Sequence, residues 1–322
     1  MSHNFADALH SPGQQVVRRF ALASVVANVV IVVTGGAVRL TGSGLGCPTW
    51  PHCTGSSFVP HDALGVHGVV EFSNRMLTYV LAAVVIATFV VVWRHRPARR
   101  SLRVLVSLLV LSIPAQAVVG GITVLTDLNP WVVSLHFMFS MVLVALSTLL
   151  VRRVGEGDEP PAATVPVPTV WLARGTYAAL AAVLYIGTVV TGSGPHAGDV
   201  HAPRNGLSPD AMSQLHTDLV MLLIGLTVGL VLTLRTVSAP ARLLRAATLL
   251  LVLELAQGLV GAVQYATGLP IVLVGFHVFG ASVLTVAATW TLLLTRSRPG
   301  GSARTRPGLP TEVRRDPAPS TR

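Results

Sequence analysis

Long apolar stretches alternate with short polar connections along most of the chain. Eight stretches of about 20 residues or more can be drawn, at about 18–39, 63–93, 101–125, 131–151, 169–192, 210–235, 241–266 and 270–295. The helices of a soluble core of this size would instead alternate apolar and polar faces. Because a helix of about 20 apolar residues crosses a bilayer, the pattern predicts an all-α polytopic membrane protein with eight transmembrane helices.

Composition agrees with this class, and the distribution of charge indicates an orientation. Hydrophobic residues make up 52% of the chain and charged residues only 11%. The basic residues are all arginines, clustered before residue 20, at 94–103, at 152–174, at 235–245 and after 295. By the positive-inside rule both termini are cytoplasmic, and we expect a multi-pass protein of the plasma membrane. The net charge of +10 is therefore a topology signal, and no nucleic-acid partner is expected.

The chain divides into two halves that resemble each other. AQAVVGGITV at 115–124 matches AQGLVGAVQY at 256–265, and the same spacing carries His136 onto His277. A second match, LGVHGVVE with SQLHTDLV, carries His67 onto His216. Repeats of this kind in membrane proteins place binding sites within or between the halves. We expect a tail at 1–17, a four-helix half at 18–154, a linker at 155–168, a pseudo-symmetric four-helix half at 169–296 and a disordered tail at 297–322.

Four histidines follow four prolines at nearly constant spacing. The pairs are Pro60/His67, Pro130/His136, Pro209/His216 and Pro270/His277. Because proline fits the first turn of a helix, the spacing predicts four imidazoles at a similar depth in the membrane. The second and fourth helices of each half then supply one pair, and facing imidazoles in a helix bundle are axial ligands of haem iron. The four histidines are candidate haem ligands.

Small residues accompany these histidines on neighbouring helices. Gly120 and Gly121 precede His136, while Gly261 and Gly280 flank His277. Such glycines leave room for a flat macrocycle, but they also serve close helix packing. The sequence alone leaves both roles open.

The second helix carries polar residues that the second half does not repeat. His67, Glu71, Asn74 and Arg75 fall on one helical face, and Val220 stands where the second half would need a counterpart of Glu71. A carboxyl group inside a membrane beside an arginine indicates proton transfer or a structural ion pair. We take Glu71 and Arg75 as candidate catalytic residues, which makes the first half the catalytic one.

Cys47 and Cys53 are the only cysteines, and both lie in the first outside loop. In an oxidising compartment such a pair can close a small loop, with a structural or a redox role. A Cys/His metal site with His52 or His61 is the alternative.

Together these motifs resemble those of the haem A synthase family. The resemblance rests on TGGAVRLTGSGLGCPTWPHC, EFSNR, AQAVVGG with its repeat AQGLVGA, and the SLHF and GFH sites, over about residues 18–295. It implies haem O as substrate in the first half and haem b in the second. It also implies oxidation of the haem O C8 methyl group to a formyl group by successive hydroxylations, for haem A of aa3-type cytochrome c oxidase. Glu71 matches the essential carboxylate, and Cys47 with Cys53 matches a disulfide.

One position departs from the family pattern. That pattern is Glu-x-x-His-Arg with the histidine as an axial ligand, but this chain has Asn74 at the histidine position. Asparagine is not among the residues that commonly ligate haem iron, so the proline spacing favours His67 as the ligand.

The resemblance also implies partners, and other functions compete with it. Haem O synthase would supply the substrate, membrane lipid would surround the protein, and a homo-oligomer is compatible with both. The chain has no flavin or nicotinamide motif, so electrons require an external donor. The main alternative is a di-haem b-type membrane cytochrome that transfers electrons without modifying haem, and a further one is a haem transporter or delivery protein.

Overall fold

Eight long α-helices form nearly all regular structure in the computed structural model, which describes residues 12–298. In chain order they are α1 (Gln14–Leu40), α2 (Gly65–Arg94), α3 (Arg100–Leu125), α4 (Pro130–Val154), α5 (Val167–Ser193), α6 (Pro209–Thr236), α7 (Ala241–Ala266) and α8 (Ile271–Leu294). All eight are long and apolar enough to cross a membrane. The prediction of an all-α polytopic membrane protein is confirmed.

The local sequence explains where several helices begin. Pro130 and Pro209 occupy the first residues of α4 and α6, where the missing N–H has no intrahelical partner to lose. The Asn129 side chain accepts a hydrogen bond from the backbone N–H of the second residue of α4. Ser208 caps α6 by accepting a hydrogen bond from the Ala211 backbone N–H. Each cap satisfies one of the backbone donors that every helix start leaves without a partner.

The helices pack as two bundles joined side by side. In the first half, α1 and α3 each pack against both α2 and α4, so that α2 and α4 lie on the diagonal of a four-helix ring. The second half repeats the arrangement, with α6 and α8 on the diagonal between α5 and α7. The halves meet where α8 packs against α1 and α4, and where α4 packs against α5. The predicted ligand histidines all come from diagonal helices.

The prediction of a common depth is wrong for one of the four histidines. His136 and His216 lie about two turns inside helices that begin at a proline, and His277 lies at the same distance inside a helix that follows one. After Pro60, by contrast, a 3₁₀ turn intervenes, and α2 begins only at Gly65, which has a positive φ of 55°. His67 is therefore the third residue of its helix, less than one turn from its start.

The connection between α4 and α5 is tied to the end of α8. Strand β1 (Ala162–Ala163) pairs antiparallel with β2 (Arg296–Ser297). Arg153 forms ion pairs with Glu156 and Asp158, both at 3.1 Å. Partial burial raises the pKa of the Asp158 carboxyl, but hydrogen bonding from Ser101 and nearby arginines outweigh burial and lower that pKa. Most of the two predicted tails, at 1–17 and 297–322, lies outside the described residues.

Candidate functional site

A large, partly open cavity extends through both bundles. Its volume is about 1510 Å³, which exceeds the roughly 300–1,000 Å³ of pockets for drug-sized ligands. Its lining includes His136, His216 and His277, together with Glu71 and Arg75. The structure thus brings these predicted site residues to one space.

His216 on α6 and His277 on α8 form a pair in the second half. Their ring centroids lie 6.4 Å apart, with an angle of 66° between the ring planes. Both side chains are half-buried and line the cavity. The separation leaves room for one iron atom between the rings, which is the arrangement of a bis-histidine haem. The predicted pairing of α6 with α8 agrees with this geometry.

A glycine on a neighbouring helix packs against each of the three helical histidines that line the cavity. A Cβ atom on Gly120 would lie 3.1 Å from Cε1 of His136, and one on Gly261 would lie 3.2 Å from Cε1 of His277. Gly187 has the same relation to the histidine of α6, at 3.1 Å. Any larger residue would crowd the rings, so these glycines seat each imidazole against a helix backbone. No repeated motif marks Gly187, and the sequence did not indicate it.

Two glutamines from the repeated AQ motif support the histidine-bearing helices. Gln116 Nε2 donates to the backbone carbonyl of His136 at 3.0 Å, and Gln257 Nε2 donates to the carbonyl of His277 at 2.6 Å. The two halves therefore use the same glutamine and glycine on one helix to position the histidine of the next. The repeat in the sequence therefore corresponds to a repeated arrangement in which a glutamine and a glycine position a histidine.

His67 lies apart from this cavity. Its side chain is exposed, its Nδ1 is hydrogen-bonded to Ser43 Oγ at 2.9 Å, and it is not among the described residues that line the cavity. Asn74 lines the cavity from the same helix, about two turns further in. The structure therefore does not bring His67 together with His136. Of the two candidate ligands on α2, Asn74 and not His67 lines the same cavity as His136.

Glu71 and Arg75 form a closely bonded pair within α2. Glu71 is only 6% exposed, and its Oε1 accepts hydrogen bonds from Arg75 Nη2 at 2.6 Å and Nε at 3.2 Å. The backbone N–H of Cys47 donates to the other carboxylate oxygen. The pair joins α2 to the preceding loop and does not bridge two helices. Charge-assisted hydrogen bonds of this kind offset the cost of burying a carboxylate.

The loop between α1 and α2 folds over the same end of the cavity. Cys47 and Cys53 are disulfide-bonded, which confirms the predicted disulfide and leaves neither sulfur for a metal site. Among residues 12–298, no group of three or more His, Cys, Asp or Glu side chains is arranged to hold a metal ion. Arg75 donates to the loop carbonyl of Thr49 at 3.0 Å, and the side chain of Trp50 lines the cavity. The arginine thus fixes both the loop and the carboxylate.

Trp50 packs tightly enough against α3 to make a stability prediction. A Cβ atom on Gly121 would overlap with the indole of Trp50, so the Gly121→Ala change must displace the indole. We expect a lower melting temperature in detergent, because overpacking costs about 1–3 kcal/mol. Gly258→Ala is the matched control, since no described atom beyond its chain neighbours and the backbone of its own helix lies within 4 Å of its Cβ position. Equal melting temperatures for the two variants would contradict this packing of the loop.

Two four-helix bundles with a common histidine-lined cavity define a class of polytopic membrane protein with a large cavity between its helices. The profile of the cytochrome oxidase assembly protein family, COX15-CtaA, matches residues 18–218. The chain belongs to this family.

Several bacterial relatives carry the name heme A synthase. The chain is 29% identical to heme A synthase of Halalkalibacterium halodurans over 287 residues, which cover 85% of this chain and 93% of that protein. It is 34% identical to heme A synthase of Lysinibacillus sphaericus over 140 residues, which cover 43% and 45% of the two proteins. The corresponding protein of Bacillus pumilus is 31% identical over 142 residues, or 44% and 45%. The first similarity extends over both halves.

Proposed function

We propose that the protein is a haem A synthase, an enzyme that oxidises the C8 methyl group of haem O to a formyl group. The observation that carries the proposal is the Glu71 carboxylate, which lines the same cavity as His136, whereas the residue three positions before His216 in the second half is Ser213. The names of the relatives support the same activity. This is a four-electron oxidation: two successive hydroxylations by an external oxidant convert the methyl group to a gem-diol, which loses water to give the aldehyde. The haem A formed by this enzyme serves an aa3-type cytochrome c oxidase.

The second half fits a resident haem b. His216 and His277 lie at a separation that accommodates an iron atom, and Gly187 and Gly261 keep the flanks of the two rings clear of side chains. These histidines would be its axial ligands. A haem held by these two histidines would supply one-electron transfer.

The first half fits the substrate, haem O. His136 would hold the substrate from α4, seated against Gly120. Glu71 would hold a proton or position a water molecule near the reacting methyl group, as general acid–base groups do. Arg75 keeps this carboxylate aimed into the cavity and holds the disulfide loop closed over it, which limits the entry of water.

The proposed function also assigns a location and partners. The arginine-rich connections support an orientation with both termini in the cytoplasm, and we expect the protein in the plasma membrane. Haem O synthase supplies the substrate, an external donor supplies electrons, and lipid surrounds the apolar outer faces of the helices. A homo-oligomer is compatible with this arrangement.

A di-haem b-type cytochrome that only transfers electrons is the second candidate. The His216–His277 pair favours it, because a bis-histidine haem needs no further chemistry to act as an electron carrier. Such a protein has no need for a buried carboxylate and arginine at one haem alone. The inequality of the two halves therefore favours the synthase.

Analysis of extracted pigments distinguishes the two functions. The chain should be expressed with haem O synthase in a host that lacks a haem A synthase of its own, and the acid-extracted haems separated by chromatography. We expect haem A in addition to haem O and haem B. If stable, haem-loaded protein yields only haem O and haem B, the synthase function is contradicted and the electron-transfer cytochrome remains as the function.

A further inference from the structure

The amide of Asn74 is held in a defined orientation inside the cavity of the first half. Thr34 Oγ1 of α1 donates a hydrogen bond to Asn74 Oδ1 at 2.8 Å, and the amide nitrogen lies 4.0 Å from the Cβ position of Gly35. Within residues 12–298, Asn74 Nδ2 has no hydrogen-bond partner. An unpartnered amide N–H₂ group in a cavity is a hydrogen-bond donor for whatever occupies that cavity.

Asn74 occupies the place in the first half that a histidine occupies in the second. His216 on α6 lies against Gly187 of the preceding helix, and Asn74 on α2 lies against Gly35 of its own preceding helix. In each half the opposite member of the diagonal, α4 or α8, carries a histidine that lines the cavity. The helices of the second half therefore offer two imidazoles to a haem, whereas among the described helices of the first half only His136 lines the cavity. The remaining histidine of the lining, His196, lies in the loop between α5 and α6, and its Nε2 is hydrogen-bonded to the Leu269 carbonyl.

A neutral amide does not replace an imidazole as a haem ligand. The axial ligands that proteins use for haem are imidazole, thiolate, thioether and phenolate groups. His67 is also excluded as the second haem ligand of the first half, because it is exposed and hydrogen-bonded to Ser43 outside the cavity lining. One axial face of a haem in the first half is then left to something other than a protein ligand.

The geometry points to a binding site for a small diatomic gas in the first half. This inference rests on the proposed function, since it requires haem in that half. His136 is the single protein ligand of the substrate iron, the opposite axial face is open, and Asn74 Nδ2 donates a hydrogen bond to a ligand bound there. The polarity and hydrogen-bond donors of such a pocket decide which small ligands it retains. The haem with an open axial position lies in the half that contains Glu71. The haem with two histidine ligands lies in the other half.

Carbon monoxide is the probe for this site. The full-length protein, loaded with both haems and reduced, should bind CO at the haem of the first half only, with a high-spin ferrous component that disappears on binding. Asn74→His restores an imidazole at this position. We expect that variant to be fully low-spin and to bind no CO, although its total haem content is unchanged.

Asn74→Val tests the hydrogen bond separately from ligation. It should keep CO binding but shift the C–O stretching frequency in the infrared and speed CO dissociation by about three- to tenfold, the range expected for one lost hydrogen bond. Thr34→Val is the companion variant, because it frees Asn74 Oδ1 and lets the amide rotate. We expect a smaller shift of the same band.

The outcomes separate this inference from the proposed function. If haem occupies both halves and no CO binds, the first-half iron has two protein ligands and the inference is wrong, whatever the pigment analysis shows. If His67→Ala creates CO binding in an otherwise low-spin protein, His67 is the ligand and the inference is equally wrong. A first half that takes up no haem overturns both proposals. CO binding without production of haem A supports the site and contradicts only the synthase.

Discussion

Glu71→Gln should lower conversion of haem O to haem A by about 10²–10⁴-fold, the contribution typical of a general acid–base group. The substitution keeps the size of the side chain and a hydrogen-bonding oxygen, but it removes the charge that Arg75 pairs with and the capacity to exchange a proton. Because Glu71 is not a proposed iron ligand, both haems should remain bound. Haem chromatography gives the conversion, and the absorption spectrum of the purified protein gives the haem content.

Glu254→Gln is the matched control for this experiment. Glu254 is also buried in the cavity wall, 3% exposed, and accepts a hydrogen bond from Thr227 at 2.9 Å, but it lies in the second half. It should keep most of the activity. Equal losses in the two variants would show that burial of any cavity carboxylate matters and that Glu71 has no special role.

His277→Ala should remove the low-spin haem of the second half and leave the haem of the first half in place. The imidazole of His216 then has no partner across the cavity, and a haem that loses one of two axial ligands is held less firmly. We expect the haem content per chain to fall by about half, with loss of the low-spin signal in electron paramagnetic resonance. Activity should fall as well if this haem delivers electrons.

His136→Ala is the complementary variant, and His67→Ala is the control. His136→Ala should remove the haem of the first half and keep the low-spin signal. His67→Ala should keep both haems, because this side chain is exposed and outside the cavity lining. Loss of the first-half haem in His67→Ala would restore the ligand role that the proline spacing predicts.

The two halves show how a duplicated bundle can acquire unequal sites with few changes. Gln116 and Gln257 support corresponding histidine-bearing helices, and Gly120 and Gly261 seat the corresponding rings. The second helix of each half differs most, because Glu71, Asn74 and Arg75 have no chemical equivalents in α6. The scaffold is thus shared, and the chemistry depends on one helix face and the loop bonded to it.

The membrane spans and the repeat could be predicted because both depend on local sequence. An apolar stretch of about 20 residues has few stable alternatives to a membrane helix, since every backbone group in lipid must be hydrogen-bonded internally. The observed helices accordingly differ from the predicted spans by only a few residues at most ends. The cysteine pair, separated by a short loop, was also found as a disulfide.

The position of one histidine could not be obtained in the same way. Pro130, Pro209 and Pro270 lie at or directly before the first residue of a helix, so the distance to the next histidine measures its depth. Pro60 precedes a 3₁₀ turn and a glycine with positive φ. The same spacing there spans a loop, and so it does not give the depth of His67 in a helix. A proline restricts its own backbone, but it does not determine whether the residues after it continue as a helix.

Sequence pattern was therefore sufficient for the class of protein, the eight spans, the two related halves and the set of polar residues available for chemistry. Which of those residues share a space depended on how α2 begins, how the loop at Cys47–Cys53 folds over Glu71, and which residues of α1 pack beside Asn74. These contacts join residues far apart in the chain, and their free energy comes from packing and hydrogen bonds that form only once the bundles are assembled. For that reason Asn74, and not His67, lies in the cavity that contains His136.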